Sequence, residues 1–335
     1  MKKTIFFYFF FCLIISCSKE NETDAMSEDI SKNSLIVGYL PTWRFDLNKQ
    51  IDYCKLTHLN IAFANPDANG KLIMPDISSI ISEAKNNNPN IIICISLAGG
   101  VLTNAQANNW KNLIDNPGNV SSFVSNIVQY VLDNKIDGVD VDLEWDNVTS
   151  GYNNFVSKLN SELKKHSKTL TAALPATTRF NNISDETLGI FDLIHIMAYD
   201  FTGPWNPTNK GQHSSYSHAV QSIDFWTKTV GVDANKLTLG VPFYGYDFSN
   251  SNNVTAFTYS SMVSSNQNYA DIDNVGSKFY NGRLTIKSKV KLASEKVGGI
   301  MVWELGQDSF GNFSLLKTIH NQFSQLGVKT TKLCQ

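Results

Sequence analysis

Asp137-Gly138-Val139-Asp140-Val141-Asp142-Leu143-Glu144-Trp145 sets four acids at fixed spacing in one short stretch. Side chains alternate across a strand, so Asp140, Asp142 and Glu144 share one face while Val139, Val141 and Leu143 share the other. Same-face neighbours stand roughly 6 to 7 Å apart. Three carboxylates that close in a partly dry site cannot all stay ionised, because repulsion and desolvation hold a proton on at least one of them. The apolar face marks a buried strand, and unpaired buried charge is an expensive way to build a core. The stretch therefore reads as a reactive site. Glu144, last on the strand, is the natural general acid, since its neighbours favour the protonated form that can donate to a leaving oxygen. Asp137 has the opposite parity and is assigned a supporting role.

A strand like this needs a scaffold, and the rest of the chain supplies its signature. From residue 35 onward, short apolar runs alternate with longer segments of helical period, the pattern of a parallel sheet with helical crossovers. Eight runs are predicted as strands: 35–40, 58–64, 91–97, 136–144, 170–175, 193–200, 237–244 and 299–304. Helices are predicted over 77–86, 120–132, 152–166, 217–230, 286–296 and 315–323, with weak helical signals in the first and fifth crossovers. Eight strand and helix pairs in this length fit an α/β fold, a single (β/α)8 TIM barrel, better than an open doubly wound sheet. Barrels of this kind usually take ~250 residues, so long loops are expected. Two stand out, 98–119 and 247–285.

Barrel enzymes place their chemistry at the carboxyl ends of the strands. Here Tyr39 and Trp43 follow the first run, Phe63 ends the second, and Asp142 and Glu144 end the fourth. Tyr199 and Asp200 end the sixth, Tyr244 the seventh, and Trp303 and Glu304 the eighth. An aromatic-lined pocket with a few carboxylates suits a ligand with flat apolar faces and hydroxyl edges, which describes a sugar ring. The ordinary two-carboxylate schemes for a glycosidic bond need a second carboxylate across the bond at roughly 5 to 9.5 Å. Asp142 is near enough but stands on the same strand and the same side as Glu144. That arrangement favours a nucleophile supplied by the substrate itself.

Composition narrows the alternatives. The 335 residues are 42% hydrophobic and 11% aromatic with a formal net charge of -2, so a large core is available and no basic face for nucleic acid is implied. A divalent cation on Asp140-x-Asp142-x-Glu144 would be chemically reasonable, since hard cations favour oxygen ligands. No Gly-rich phosphate loop accompanies the acids, however, and the histidines lie far away in sequence. His58 and His195 fall inside strand runs, where a satisfied structural imidazole is expected. Neither a metal nor a cofactor is expected.

The chain begins with two lysines and an apolar run too short to span a bilayer, ending at Ser16-Cys17. This reads as a secretion signal, and Ile14-Ile15-Ser16-Cys17 resembles a bacterial lipobox, which implies cleavage before Cys17 and lipid on its thiol. The expected organisation is a lipoprotein signal peptide at 1–16, a flexible tether from lipidated Cys17 at 17–34, the barrel at 35–327 and a tail at 328–335. The corresponding location is that of an exported bacterial lipoprotein anchored at the outer membrane or cell surface. With Cys12 removed and Cys17 lipidated, Cys54, Cys94 and Cys334 remain, scattered and odd in number, so no disulfide framework and no metal spacing are expected. Cys94 reads as a small buried hydrophobe.

The acid stretch resembles the DGxDxDxE signature of family 18 glycoside hydrolases, the chitinase-like and endo-β-N-acetylglucosaminidase-like enzymes. The likeness continues in order through Gly38-Tyr39 with Trp43, Ile61-Ala62-Phe63, Gly99-Gly100, Met197-Ala198-Tyr199-Asp200, Pro242-Phe243-Tyr244-Gly245 and Gly298-Gly299-Ile300-Met301-Val302-Trp303-Glu304. The resemblance implies a retaining hydrolase in which Glu144 protonates the glycosidic oxygen while the substrate's N-acetyl carbonyl attacks its own anomeric carbon. Asp142 would orient the acetamido nitrogen, Asp140 would share a proton with Asp142, and Tyr199 would donate to the acetamido oxygen. Asp200 would contact the distorted sugar and Trp303 would floor the pocket; Tyr39, Phe63, Trp145, Met197 and Tyr244 complete the candidate substrate-binding set. The implied partner is an N-acetylglucosamine-containing oligo- or polysaccharide, in chitin, chitooligosaccharides or the chitobiose core of N-glycans. A glycan-binding surface lipoprotein without catalysis is the alternative from another class.

The chain departs from the family pattern in two places. The usual Ser-x-Gly-Gly-Trp becomes Ser96-Leu97-Ala98-Gly99-Gly100-Val101, which displaces the serine and replaces an aromatic platform with Val101. Trp110 is a candidate to take over part of that platform. The segment after the seventh strand is too short for a full α+β insertion domain, so a shallower, more open cleft and internal cleavage are expected.

Overall fold

The computed structural model describes residues 34–330 and Met1. The expected signal peptide, Cys17, the expected tether up to residue 33 and residues 331–335 lie outside the described residues. The eight apolar runs form β1 (Leu35–Pro41), β2 (His58–Pro66), β3 (Ile92–Ala98), β4 (Gly138–Asp142), β5 (Thr169–Pro175), β6 (Leu193–Met197), β7 (Leu237–Pro242) and β8 (Gly299–Trp303). Neighbours pair in parallel, and β1 pairs with both β2 and β8, which closes the barrel.

Strand parity divides the side chains between two environments. Ile36, Leu59, Ile61, Ile93, Ile95, Val139 and Val141 belong to the large core between the strands and the surrounding helices, whereas Val37, Tyr39, Ala62 and Met301 form a separate cluster. Positions of this second parity include the polar residues Asn60, Ser96, Asp140, Thr171, His195 and Thr238, all buried. In the register, Ser96 stands opposite Asp140 and Asp140 opposite Thr171.

The helices are α1 (Ser78–Asn87), α2 (Asn104–Ile114), α3 (Pro117–Asp133), α4 (Tyr152–Lys164), α5 (Asp185–Ile190), α6 (Tyr216–Asp224), α7 (Tyr259–Ser265), α8 (Arg283–Lys296) and α9 (Leu315–Gln325). The two crossovers with weak helical signals are the least helical. The first holds only 3-10 turns at Thr42–Gln50 and Tyr53–Lys55, and the fifth holds α5, six residues long. The helix predicted over 217–230 changes character after Asp224, where Phe225–Val230 continues as a π-helical turn.

Two features of the long loops differ from the sequence reading. Residues 98–119 contain α2, whose start carries a capping box from Thr103 and Gln106, the arrangement that satisfies two otherwise unpaired backbone donors. Trp110 on α2 is fully buried, donates its Nε1 to Asn65 Oδ1 at 2.8 Å and meets Phe123 and Phe155 edge-on. It is a core residue and cannot replace a sugar platform at position 101. Cys54 is disulfide-bonded, which corrects the expectation of no disulfide framework: distance along the sequence does not limit which cysteines a fold brings together. Cys94 is free and buried.

After β7 the chain adds a small antiparallel sheet from Thr255–Thr258, Tyr244–Asp247, Lys278–Phe279 and Asn274–Val275, in that order, plus α7. This is far less than a full insertion domain, as expected from its length.

Candidate active site

The strands β4, β6 and β7 end earlier than their polar tails suggested. The β3–β4 ladder stops with Ala98 opposite Asp142, and Glu144 lies two residues beyond, still extended at φ -123, ψ 153. Extended backbone preserves the alternation, so Glu144 keeps the parity of Asp140 and Asp142. Trp145 then turns into the left-handed region, with φ 50, and the chain leaves the barrel mouth.

The three acids have different surroundings. Asp140 is fully buried and accepts three hydroxyls: Tyr39 and Ser96 on Oδ2 at 2.8 and 2.7 Å, and Thr171 on Oδ1 at 2.6 Å. Burial pushes its carboxyl up while these donors pull it down. The displaced Ser96 thus still reaches the acid, from the adjacent strand position. Asp142 is buried too, but its Oδ1 has no hydrogen-bond partner among the described residues. Burial, then the charges of Glu144 and Asp140, push it well above the ordinary carboxylate range, which makes it a place where a proton rests. Glu144 is pushed up to about 7, by burial first and by Asp200 second. A carboxylic acid at that value can both donate and retrieve a proton near neutrality. Space for its carboxyl is left by Gly100, where a Cβ would stand 2.5 Å from Glu144 Oε1.

Tyr199 and Asp200 form a corner just past β6. Tyr199 is held protonated by burial and by the surrounding carboxylates, Asp142 foremost, so its hydroxyl is available as a donor. Asp200 has φ 62, and its Oδ1 accepts the hydroxyls of Tyr244 at 2.5 Å and Tyr246 at 3.0 Å, with His213 Nδ1 at 3.3 Å. Tyr244 lines neither of the cavities described below and reaches the site through Asp200.

Aromatic residues close the other side. Phe63 stacks on Trp303 at 5.5 Å between ring centroids, and Tyr39 and Trp43 each meet Trp303 edge-on. Trp43, Trp145 and Trp205 stand exposed at 58 to 60%. Two adjoining cavities meet at the acids. One of about 690 Å³ is lined by Tyr39, Trp43, Phe63, Asp142, Met301 and Trp303. The other, about 470 Å³, is lined by Pro175, Ala176, Thr177, Thr178 and Phe201. Glu144, Trp145, Met197, Tyr199, Asp200 and Trp205 border both, so the acid stands at the junction of a cleft that continues on either side.

Nearly all the residues selected from sequence therefore converge on one rim. Asp137 instead pairs with Lys85 at 2.9 Å and accepts the N–H of Ile93, on the other side of the strand. Both Asp140 oxygens accept hydroxyls, and among the described residues no group of three or more His, Cys, Asp or Glu is placed to hold a metal. His195 is buried, bonded at Nδ1 to Thr238 Oγ1 at 2.8 Å, and burial lowers it to about 3, so it is neutral. Thr171, His213, Trp205 and Tyr246 were missed. Parity within run 170–175 could have found Thr171, and Tyr246 shares the parity of Tyr244 on the strand Tyr244–Asp247; Trp205 and His213 sit in irregular segments where no periodicity points inward.

The chain matches the family described as Glycosyl hydrolases family 18 over residues 35–308. Its fold is similar to that of the GH18 chitinase ChiB from the chitin utilization locus of Flavobacterium johnsoniae, with TM-score 0.89 and 52% identity over 91% of this chain and 98% of that one. A chitinase from Bacteroides thetaiotaomicron gives TM-score 0.78 at 28% identity over 89% and 99% of the two chains. A class V chitinase of Arabidopsis thaliana is 23% identical with 91% of each chain covered, whereas the match spans 58% of a chitinase-like effector of Moniliophthora roreri, at 26% identity over 63% of this chain.

Proposed function

The chain belongs to the glycosyl hydrolases of family 18, and from that premise we propose that it cleaves β-1,4-linked N-acetylglucosamine in chitin and chitooligosaccharides with retention of configuration. The observation that carries the proposal is the pairing of two protonatable carboxyls, Asp142 and Glu144, on one side of a cleft that runs past both. The third carboxylate of the lining, Asp200 past β6, is already engaged: its Oδ1 accepts the hydroxyls of Tyr244 and Tyr246 and lies beside His213. The sugar's own acetamido oxygen is then the available nucleophile.

The steps follow from the chain's groups. Glu144 gives its proton to the glycosidic oxygen as that bond breaks, and the acetamido oxygen bonds to the anomeric carbon to form an oxazolinium ion. The Tyr199 hydroxyl positions the acetamido oxygen and Asp142 takes a hydrogen bond from the acetamido N–H. Water, deprotonated by Glu144, opens the ring from the vacated side, which returns the proton to Glu144 and leaves the anomeric configuration retained. Asp140, held by its three hydroxyl donors, keeps the charge beneath Asp142 fixed. The stacked Phe63 and Trp303 offer the flat apolar wall that a pyranose face requires.

Export and lipid anchoring at Cys17 belong to the same proposal and rest on the leader residues alone. The test is incubation with N-acetylglucosamine oligomers and, side by side, a high-mannose glycoprotein, with products read by mass spectrometry. Shortened oligomers are expected. Release of glycans alone would move the substrate to the N-glycan core, and binding with no product would replace catalysis by capture. Glu144→Gln should cut kcat by at least roughly 10²-fold while oligomer binding persists; a variant near the wild-type rate removes the mechanism.

A further inference from the structure

Lys289 on α8 is fully buried, and its ammonium is surrounded by neutral acceptors. Nζ donates to the Ser214 carbonyl, to Ser214 Oγ and to Asn281 Oδ1, each at 2.7 Å. Burial pushes it down to about 7, against the pull of Asp273. A buried ammonium without a carboxylate bonded to it is costly. What distinguishes lysine here is the set of groups it holds.

That set leads to the active-site corner. Ser214, itself fully buried, donates its Oγ to the Ala198 carbonyl at 2.6 Å. The preceding residue, His213, is also buried. Its Nδ1 receives the Asp200 N–H at 3.4 Å and lies 3.3 Å from Asp200 Oδ1, its Nε2 lies 3.2 Å from the Tyr244 carbonyl, and its own carbonyl accepts the Phe201 N–H at 3.0 Å. Residues 213–214 thus brace the backbone on both sides of Tyr199, including Asp200 in its left-handed conformation. Lys289 fastens that brace to α8. Asn281 adds a second tie, its Nδ2 donating to the Ser214 carbonyl at 2.9 Å.

We infer that Lys289 is a positioning residue for hydrolysis: through Ser214 and His213 it fixes where the Tyr199 hydroxyl and the Asp200 carboxylate stand above the cleft. The inference rests on the proposed function for the identity of the reaction.

The full chain carrying Lys289→Met or Ser214→Ala tests it. For Lys289→Met, kcat on the N-acetylglucosamine tetramer should fall at least tenfold while KM changes less than threefold, because the corner is needed in the transition state more than in the bound ground state. Its unfolding midpoint should change little, since removing a buried charge offsets the Ser214 and Asn281 acceptors left without their donor. Ser214→Ala should lower kcat in the same direction, and the double variant should be no slower than Lys289→Met alone, as expected of one chain of contacts. Wild-type kcat in Lys289→Met, or a loss that only tracks the folded fraction, overturns the inference. If Lys289→Met does not fold, unchanged kcat in Ser214→Ala overturns it. If the wild-type protein cleaves nothing, the proposed function fails, yet the His213 imidazole NMR signals still decide: displaced in Lys289→Met they support the brace, unmoved they refute it.

Discussion

Glu144 and Asp142 are both held above the usual carboxylate range, and the causes divide their work. Asp142 carries the heavier load: burial, two neighbouring acids and an oxygen with no partner among the described residues. Glu144 reaches about 7 through burial and the charge of Asp200. Its acid form therefore prevails below about pH 7 and is lost as pH rises through that value. The profile of kcat/KM against pH, which reports groups of the free enzyme, should have a basic limb near 7 and fall about tenfold per unit beyond it. Removing one named cause tests the assignment. Asp200→Asn takes away a negative charge that favours protonated Glu144, so the limb should move to lower pH even as the maximum rate drops. A limb that stays in place would show that Asp200 does not set the acid.

At the level of elements, the site is assembled by segments that leave the strands, and specific polar ties hold them to the barrel. The 3-10 turn after β1 carries Trp43, and the end of β8 carries Trp303. Between these, Arg44 Nε donates to Glu304 Oε1 at 3.0 Å, and Gly306 N–H donates to Glu304 Oε2 at 2.8 Å. Glu304 is buried while Arg44 is partly exposed, so the arginine is the carboxylate's route to charge balance. Arg44→Met should destabilise the fold by about 3 kcal/mol, the low end for stranding a buried charge, read as a lowered denaturant midpoint at unchanged slope. Adding Glu304→Gln should recover part of that loss by removing the stranded charge. No recovery in the double variant would mean that packing of the arginine stem, which lies against Gly306, is what matters.

For the whole molecule, the decisive feature is a cleft with space on both sides of Glu144 and only a small sheet and α7 added after β7. Val101 is 96% exposed where the family pattern has an aromatic platform, so one side of the cleft lacks an aromatic ring to stack on a sugar at that point. A long N-acetylglucosamine oligomer should accordingly be cut internally, giving products of mixed length at the earliest times. A time course dominated from the start by the dimer would contradict an open cleft. The sequence by itself determined the scaffold and the reactive strand, because both are written in periods: apolar runs at barrel spacing, and acids at i, i+2 and i+4 on the face opposite Val139, Val141 and Leu143. It also made plain which crossovers would be poorly helical. Tertiary structure alone decided the partners. Ser96 stays bonded to Asp140 although its motif is shifted, Trp110 is committed to packing against Phe123 and Phe155, and Cys54 is in a disulfide. Asp200 is met by Tyr246 and His213, and Lys289 reaches beneath from a distant helix. These are contacts between segments far apart in the chain, joined through irregular backbone, and no local repeat encodes which side chain will arrive from across the barrel.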